Sequence, residues 1–175
     1  DIQGPDAAAF LNHVYANGFA KPPIGKTRYG LMLREDGMVM DDGTTARLGE
    51  THYVMTTTTA NAVGVFRHLE FCRQCLWPEL DVQLISITEQ YAQYAVAGPN
   101  ARRLLEKLID SGEDISNEAF PFMACGEISI CGGVKARLFR ISFSGELAFE
   151  IAVPSRYGDA MVRALMTAGE EFGVT

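Results

Sequence analysis

Two stretches of the chain repeat each other: Ile2-Gln3-Gly4-Pro5-Asp6-Ala7 near its start and Val96-Ala97-Gly98-Pro99-Asn100-Ala101 in its second half. Each is typical of the end of a β-strand, a Gly-Pro turn and the start of a helix, with Asp6 or Asn100 near the N-cap. Apolar residues at helical spacing follow both stretches. Such internal similarity indicates a duplicated structural unit.

Both halves continue with the same order of elements. The first half contains patterns for a hairpin around Arg34–Gly37, a strand His52–Thr57, a helix Ala60–Cys75 and a strand Val82–Thr88. The corresponding segments of the second half are Gly126–Cys131, Lys135–Ser142, Ala148–Val153 and Arg156–Phe172. We therefore predict an α+β fold of two tandem ferredoxin-like units of the split β-α-β type, residues 1–88 and 89–175. The first unit is expected to lack most of its opening strand, and the second its closing strand.

Composition excludes several classes of protein. The 175 residues include 22 Asp and Glu against 15 Lys and Arg, a net charge of −7. This balance argues against a nucleic-acid partner, which requires a dense positive face. No run of 18 apolar residues is present, so we expect no membrane span. An apolar content of 47% is that of an ordinary folded domain.

The four cysteines, Cys72, Cys75, Cys125 and Cys131, form two closely spaced pairs. A zinc site is one interpretation of this grouping, but structural zinc cysteines usually lie on tight turns, and Cys72 and Cys75 fall late in a helical pattern. Reduced, partly buried thiols of a cytoplasmic protein are the favoured interpretation. We predict no bound metal.

Asp41 and Asp42 are the first candidates for chemistry. They are expected to end the second strand of the hairpin, just before Gly43. Since adjacent strand residues point to opposite faces, only one of the two carboxylates can face a given cavity. A carboxylate held in an apolar cleft can serve in proton transfer. The alternative is that Asp41-Asp42-Gly43 is a solvated turn.

Glu150 is the second candidate, because it interrupts the apolar strand Ala148–Val153. An acid inside such a strand is costly unless it is paired or binds a ligand. A buried carboxylate can accept two adjacent N–H donors, which suits recognition of an amino-heterocycle. The alternative is an acid on an edge strand that faces water.

Five motifs in one order carry a resemblance that covers essentially the whole chain. They are Tyr29–Leu33, Gly37–Asp42, Tyr53–Thr57, Val96–Ala101 and Ser144–Ile151. The sequence resembles the aminomethyltransferase family, which includes the T-protein of the glycine cleavage system and its folate-dependent relatives. Within the family it is most similar to the branch that forms the C-terminal, folate-binding part of heterotetrameric sarcosine oxidase alpha subunits.

The resemblance implies roles for five residues. Asp41 matches the family's essential carboxylate beside the reacting folate nitrogen, and Glu150 matches the acid that grips the pterin ring. Tyr29 matches an aromatic position of the folate pocket. Phe143 is expected at the folate-binding site too, where it stands in place of the T-protein's Tyr and so lacks its hydroxyl. Asp42 is expected to point away and to be structural.

The resemblance also implies a reaction and its partners. In the sarcosine oxidase branch, a flavin in another subunit oxidises sarcosine to an iminium, and tetrahydrofolate captures its one-carbon unit as 5,10-methylenetetrahydrofolate. Tetrahydrofolate is thus the expected cofactor, the iminium and the other subunits are the expected partners, and flavin and NAD sites are expected outside this chain. The fragment alone is then not a complete enzyme. Two alternatives remain: a T-protein-type aminomethyltransferase, and a non-catalytic module for folate binding or subunit interaction.

Overall fold

The computed structural model describes residues 1–175. The chain divides into two compact units, Asp1–Ser86 and Ile87–Thr175. Each unit contains one antiparallel sheet and two α-helices. None of the helices combines the length and the apolar character that crossing a bilayer would require.

The first unit contains five strands, and its sheet has the order β2-β3-β4-β1-β5. Its elements, in chain order, are β1 (Ile2–Gln3), α1 (Ala7–Val14), β2 (Lys26–Leu33), β3 (Val39–Arg47), β4 (His52–Met55), α2 (Ala62–Phe71) and β5 (Gln83–Leu84). A π-helical turn, Cys72–Leu76, continues α2. The short strand β1 is not at an edge of the sheet, because it pairs with β4 on one side and with β5 on the other.

The second unit contains four strands, and its sheet has the order β6-β9-β8-β7. Its elements are β6 (Tyr91–Ala97), α3 (Ala101–Glu106), β7 (Cys125–Ile130), β8 (Val134–Phe139), β9 (Ala148–Pro154) and α4 (Gly158–Gly169). A 3₁₀ turn, Glu170–Phe172, follows α4, and no strand follows it. Strand β6 therefore lies at one edge of the sheet.

Alternation along β9 decides which residues reach the core of the second unit. Phe149, Ile151 and Val153 are fully buried and belong to the core cluster, which also contains residues of α3 and α4. Because successive strand residues point to opposite faces, Ala148, Glu150 and Ala152 lie on the other side of the sheet. Glu150 is thus directed away from the helices.

The predicted α+β class with two repeated units is confirmed. The strand order refines the split β-α-β description, since each unit has three strands between its helices instead of two. These strands pair in succession as an antiparallel meander. Consecutive antiparallel strands need only short connections, which is the physical reason for this arrangement.

The prediction that the hairpin strand ends at Asp41 and Asp42 is wrong, because β3 continues to Arg47. Gly43 is not a turn residue: it pairs with Gly30 across the sheet. A Cβ atom on Gly43 would lie 2.1 Å from the carbonyl oxygen of Thr56. Glycine here allows a close backbone approach inside the sheet, and the solvated-turn alternative for Asp41 and Asp42 is wrong as well.

Candidate functional site

Asp41 lies inside β3, and only 6% of its surface is exposed. Its cross-strand neighbour is Met32, a core residue of the first unit. The carboxylate accepts the Thr58 N–H at 3.2 Å on Oδ2 and the Asn61 Nδ2 amide at 3.3 Å on Oδ1. The same amide donates to the Met40 carbonyl at 2.9 Å. Asp41 therefore fastens the segment that follows β4 to strand β3.

Asp42 points to the opposite face of β3 and is partly exposed. The Tyr29 hydroxyl donates a 2.5 Å hydrogen bond to its Oδ2, and no hydrogen bond reaches its Oδ1. Tyr29 is 48% exposed. The hydrogen bond to Asp42 raises the pKa of Tyr29, and burial and the charge of Asp42 act in the same direction. The hairpin thus presents one accessible carboxylate with a phenol beside it.

The family resemblance predicts a reactive role for Asp41, a structural role for Asp42, and a place for Tyr29 in the folate pocket. The structure instead brings Tyr29 to Asp42 and places Asp41 on the other face. Both oxygens of Asp41 already accept N–H donors of the fold, whereas Oδ1 of Asp42 is unused. This hydrogen-bond pattern favours the reverse assignment, although the catalytic role of either carboxylate stays a prediction.

Tyr15 is a residue that the sequence reasoning missed. It is buried behind the hairpin, and a Cβ on Gly30 would lie 2.9 Å from its ring. Burial raises the pKa of Tyr15; a contact with the Thr45 hydroxyl opposes this, and the charges of Asp41 and Asp42 reinforce it. Tyr15 thus keeps its proton and remains a neutral group. Gly30 inside a strand was the sequence signal for such a close approach.

Glu150 is half-buried on β9, opposite Ala95 of β6 and Phe139 of β8. The Gln93 side-chain amide donates to its Oε2, and no hydrogen bond reaches Oε1. Burial raises the pKa of Glu150, while the hydrogen bond from Gln93 lowers it. The sequence reasoning missed Gln93, although its spacing from Ala95 along β6 places it on the face that carries Glu150.

A cleft of about 310 Å³ lies beside the start of β9. Its lining residues are Phe122, Arg140, Ser142, Gly145, Glu146, Leu147 and Ala148. Ala148 stands two residues before Glu150 and shares its face of the sheet. Phe143 does not line this cleft; its side chain is fully exposed on the loop between β8 and β9. The structure therefore does not bring Phe143 to Glu150.

None of the four cysteines forms a disulfide; Cys72 and Cys125 are buried, and Cys75 and Cys131 are exposed. The Cys72 sulfur lies 3.5 Å from Nε2 of His68. Burial raises the pKa of Cys72, which disfavours the thiolate that metal binding needs. No group of three or more His, Cys, Asp or Glu residues is placed to hold a metal ion.

Relatives of known name match the whole chain. The sarcosine oxidase subunit alpha of Rhizobium meliloti is 61% identical over 99% of the chain, and that of Corynebacterium sp. strain P-1 is 50% identical over 100%. The aminomethyltransferase of Geobacillus sp. is 33% identical over 99%. The chain spans 18% of the length of the two sarcosine oxidase subunits and 45% of the Geobacillus protein.

Solved structures agree with these relatives. The glycine cleavage system aminomethyltransferase T of Bartonella henselae superimposes with a TM-score of 0.79 at 27% identity, covering 94% of this chain and 42% of that one. A chain of the heterotetrameric sarcosine oxidase of Corynebacterium sp. U-96, in complex with pyrrole 2-carboxylate, gives 0.59 at 17% identity, covering 99% and 97%. The second likeness shows the fold alone.

The family model of the GCVT N-terminal domain matches residues 1–175, the full length of the chain. This match confirms the resemblance that the five sequence motifs carry. It also agrees with the duplicated α+β architecture described above. The chain therefore belongs to the GCVT N-terminal domain family.

Proposed function

We propose that this chain is the tetrahydrofolate-binding portion of a sarcosine oxidase alpha subunit. In this proposal the one-carbon unit of sarcosine ends as 5,10-methylenetetrahydrofolate. The 61% identity to the Rhizobium meliloti subunit supports this branch over a free-standing aminomethyltransferase, for which the Geobacillus identity is 33%. The single structural observation that carries the proposal is the half-buried carboxylate of Glu150 with one oxygen unused.

The residues around Glu150 fit the ring of a folate. Its Oε1 accepts no hydrogen bond, and Oε2 shares only the amide of Gln93. An aminopyrimidine ring offers adjacent N–H donors, which a carboxylate accepts side by side. Such donors would also compensate the burial that raises the pKa of Glu150. Glu150 and Gln93 would therefore hold the ring, and the bound folate supplies a nucleophilic nitrogen.

The hairpin of the first unit supplies the carboxylate chemistry in this proposal. Asp42 would stabilise the positive charge of the iminium and accept a proton at Oδ1. Tyr29 would orient Asp42 through its hydrogen bond to Oδ2. Asp41, the carboxylate that the family resemblance singles out, would keep the segment from Thr58 to Asn61 in place. If Asp41 were instead the reactive group, Asp41→Asn would abolish one-carbon transfer without lowering the free energy of unfolding.

Partners and location complete the proposal. Oxidation of sarcosine, with flavin and NAD, would occur in parts of the parent complex outside this chain. Other subunits are proposed as partners because the sarcosine oxidase relatives are named as alpha subunits. A cytoplasmic location is proposed because four cysteines without a disulfide are typical of a reducing compartment.

The test uses the intact complex that contains the parent subunit, with Glu150→Gln compared against Glu118→Gln. Glu118 is exposed and makes no hydrogen bond, so its variant is a matched control. With sarcosine and tetrahydrofolate, Glu150→Gln should shift the one-carbon product from methylenetetrahydrofolate to free formaldehyde while sarcosine consumption stays unchanged. An unaltered product ratio, or exchange of a lipoyl-bound aminomethyl group by the native complex, would overturn the proposal.

A further inference from the structure

The Gln93 side chain determines which polar atoms beside Glu150 remain available to a ligand. Its Nε2 donates to Oε2 of Glu150. A carboxylate offers only acceptors, so this contact requires the nitrogen of the amide, and not its oxygen, to face Glu150. An amide nitrogen carries two hydrogens, and the contact with Glu150 uses one of them. One N–H of Gln93 therefore remains available next to the two carboxylate oxygens.

The pairing of β6 with β9 explains why this amide reaches this carboxylate. Ala95 lies directly opposite Glu150, and Gln93 lies opposite Ala152, so Gln93 is a diagonal neighbour of Glu150. Diagonal neighbours on one face are about 7–8 Å apart, a distance that long side chains span. The methyl group of Ala95 leaves the space directly opposite Glu150 unfilled. The two polar side chains thus meet beside a small apolar residue.

The β6 side of this face is open to a ligand. Gln93, Ala95 and Ala97 are exposed. They alternate along β6 with Tyr94 and Val96, which belong to the core side of the sheet, and so they lie on the face that carries Glu150. A flat ring can therefore lie against the methyl group of Ala95 with one edge directed at the carboxylate and the amide.

Strand β8, on the other side of Glu150, supplies no second donor to this carboxylate. Phe139 lies directly opposite Glu150 and is apolar, and Arg137 is the diagonal neighbour. The guanidinium of Arg137 packs over the ring of Tyr91, with its carbon 4.6 Å from the ring centre. The amide of Gln93 is thus the group of the sheet that donates to Glu150.

One edge of the reduced folate ring matches these groups. Its 2-amino group, its N3–H and its C4 oxygen follow one another as donor, donor and acceptor. The two oxygens of Glu150 can accept from the first two side by side. Because Gln93 is bound at Oε2, the N3–H would lie at Oε2 and the 2-amino group at Oε1. The remaining N–H of Gln93 would then lie next to the C4 oxygen.

We infer that Gln93 is a specificity-determining residue of this site, which selects a 2-amino-4-oxo ring by donating a hydrogen bond to its C4 oxygen. The inference rests on the proposed function, in which Glu150 binds the ring of tetrahydrofolate. A 4-amino group in place of the oxygen would direct its N–H groups at the N–H of Gln93. Since two donors form no hydrogen bond, both would be left without an acceptor. Gln93 thus disfavours 2,4-diamino rings.

The affinities of two ligands for the intact parent complex separate this role from a purely structural one. The ligands are tetrahydrofolate and its 4-amino analogue, tetrahydroaminopterin, measured by anaerobic calorimetric titration. The analogue also lacks the hydrogen on N3, to which Glu150 responds, so the informative quantity is the change in the ratio of the two affinities when Gln93 is replaced. Gln93→Met removes the N–H groups at nearly constant length. It should lower the affinity for tetrahydrofolate, and its ratio to that for the analogue, about tenfold.

Two further variants control this comparison. Gln93→Lys retains N–H donors for both Oε2 of Glu150 and the C4 oxygen, so the preference for tetrahydrofolate should be kept. Gln90→Met makes the same chemical change at an exposed glutamine whose side chain forms no hydrogen bond. Neither affinity should change in Gln90→Met.

An unchanged ratio in Gln93→Met, whether both affinities fall alike or neither falls, would overturn the inference, because Gln93 would then at most position Glu150. A ratio that falls as far in Gln93→Lys as in Gln93→Met would overturn it as well. Failure of the proposed function gives a different result. In that case the native complex binds neither ligand, or Glu150→Gln leaves the affinity for tetrahydrofolate unchanged, and Gln93 has no ring to select.

Discussion

The Tyr29 hydroxyl donates a 2.5 Å hydrogen bond to Oδ2 of Asp42, on the face of the hairpin opposite to Asp41. Two adjacent carboxylates of the same chemistry thus have different surroundings. Asp41 is 6% exposed and accepts two N–H donors of its own fold, whereas Asp42 is partly exposed and has an unused oxygen. Asp41 therefore stabilises the hairpin and the segment that follows β4, whereas Asp42 is accessible to a substrate.

Asp42→Asn should lower the yield of methylenetetrahydrofolate in the parent complex by about 10²-fold, the usual size of a lost acid–base group. The asparagine can still accept the Tyr29 hydrogen bond, so the free energy of unfolding should change by less than about 0.5 kcal/mol. Product analysis with sarcosine and tetrahydrofolate measures the first effect, and denaturant unfolding the second. An unchanged yield would remove Asp42 from the proposed chemistry.

Asp41→Asn should instead lower the free energy of unfolding and leave the yield of methylenetetrahydrofolate largely unchanged. Its amide would direct an N–H group at the Thr58 N–H or at the Asn61 amide, so one of these two partly buried hydrogen bonds is lost, at a cost of about 1 kcal/mol. Urea unfolding of the 175-residue chain, with Asp42→Asn as the matched comparison, measures this difference. Equal stability of the two variants, combined with lost one-carbon transfer in Asp41→Asn alone, would restore Asp41 as the reactive group.

The repeat could be predicted from the sequence, whereas the orientation of the candidate carboxylates Asp41 and Asp42 could not. The Gly-Pro turns at Gly4 and Gly98 are local signals, so the duplication was visible. The face on which Asp41 lies depends on how far β3 extends, and Gly43 gives the same signal for a turn as for a close approach inside a sheet. Strand pairing across the sheet, which brings Tyr29 to Asp42, is a long-range property.

For the same reason, the hydrogen bond between Gln93 and Glu150 could not be predicted from the sequence. Gln93 stands fifty-seven residues from Glu150 in the chain, and only the pairing of β6 with β9 makes the two side chains neighbours. The half-buried position of Glu150 in a strand was predictable, because an acid that interrupts an apolar strand is an anomaly that a local pattern reveals.

Gly4→Ala should destabilise the chain far more than Gly37→Ala. Both glycines have positive φ, but a Cβ on Gly4 would lie 2.2 Å from the Asp81 carbonyl oxygen, whereas on Gly37 it would meet nothing within 4 Å. We expect about 1 kcal/mol for Gly37→Ala, from backbone strain alone, and more than about 3 kcal/mol for Gly4→Ala, which also forces backbone apart. Urea unfolding of both variants checks the ranking, and similar losses would contradict the close approach of β5.

Glu150 links stability to ligand binding. Burial raises its pKa in the folded chain, with the Gln93 hydrogen bond as a smaller opposing effect. A carboxyl with a raised pKa holds its proton more tightly when folded, so the folded state loses stability as pH rises from the unfolded pKa through the folded one. Glu150→Gln removes this loss: its melting temperature should exceed that of the native chain at pH 7 and equal it at about pH 3, where both side chains are uncharged.

Glu150→Gln should also bind tetrahydrofolate about 10²-fold more weakly, because its amide N–H groups face the donors of the ring. Thermal unfolding across pH and calorimetric titration measure the two effects, and a stability difference that is independent of pH would contradict the first.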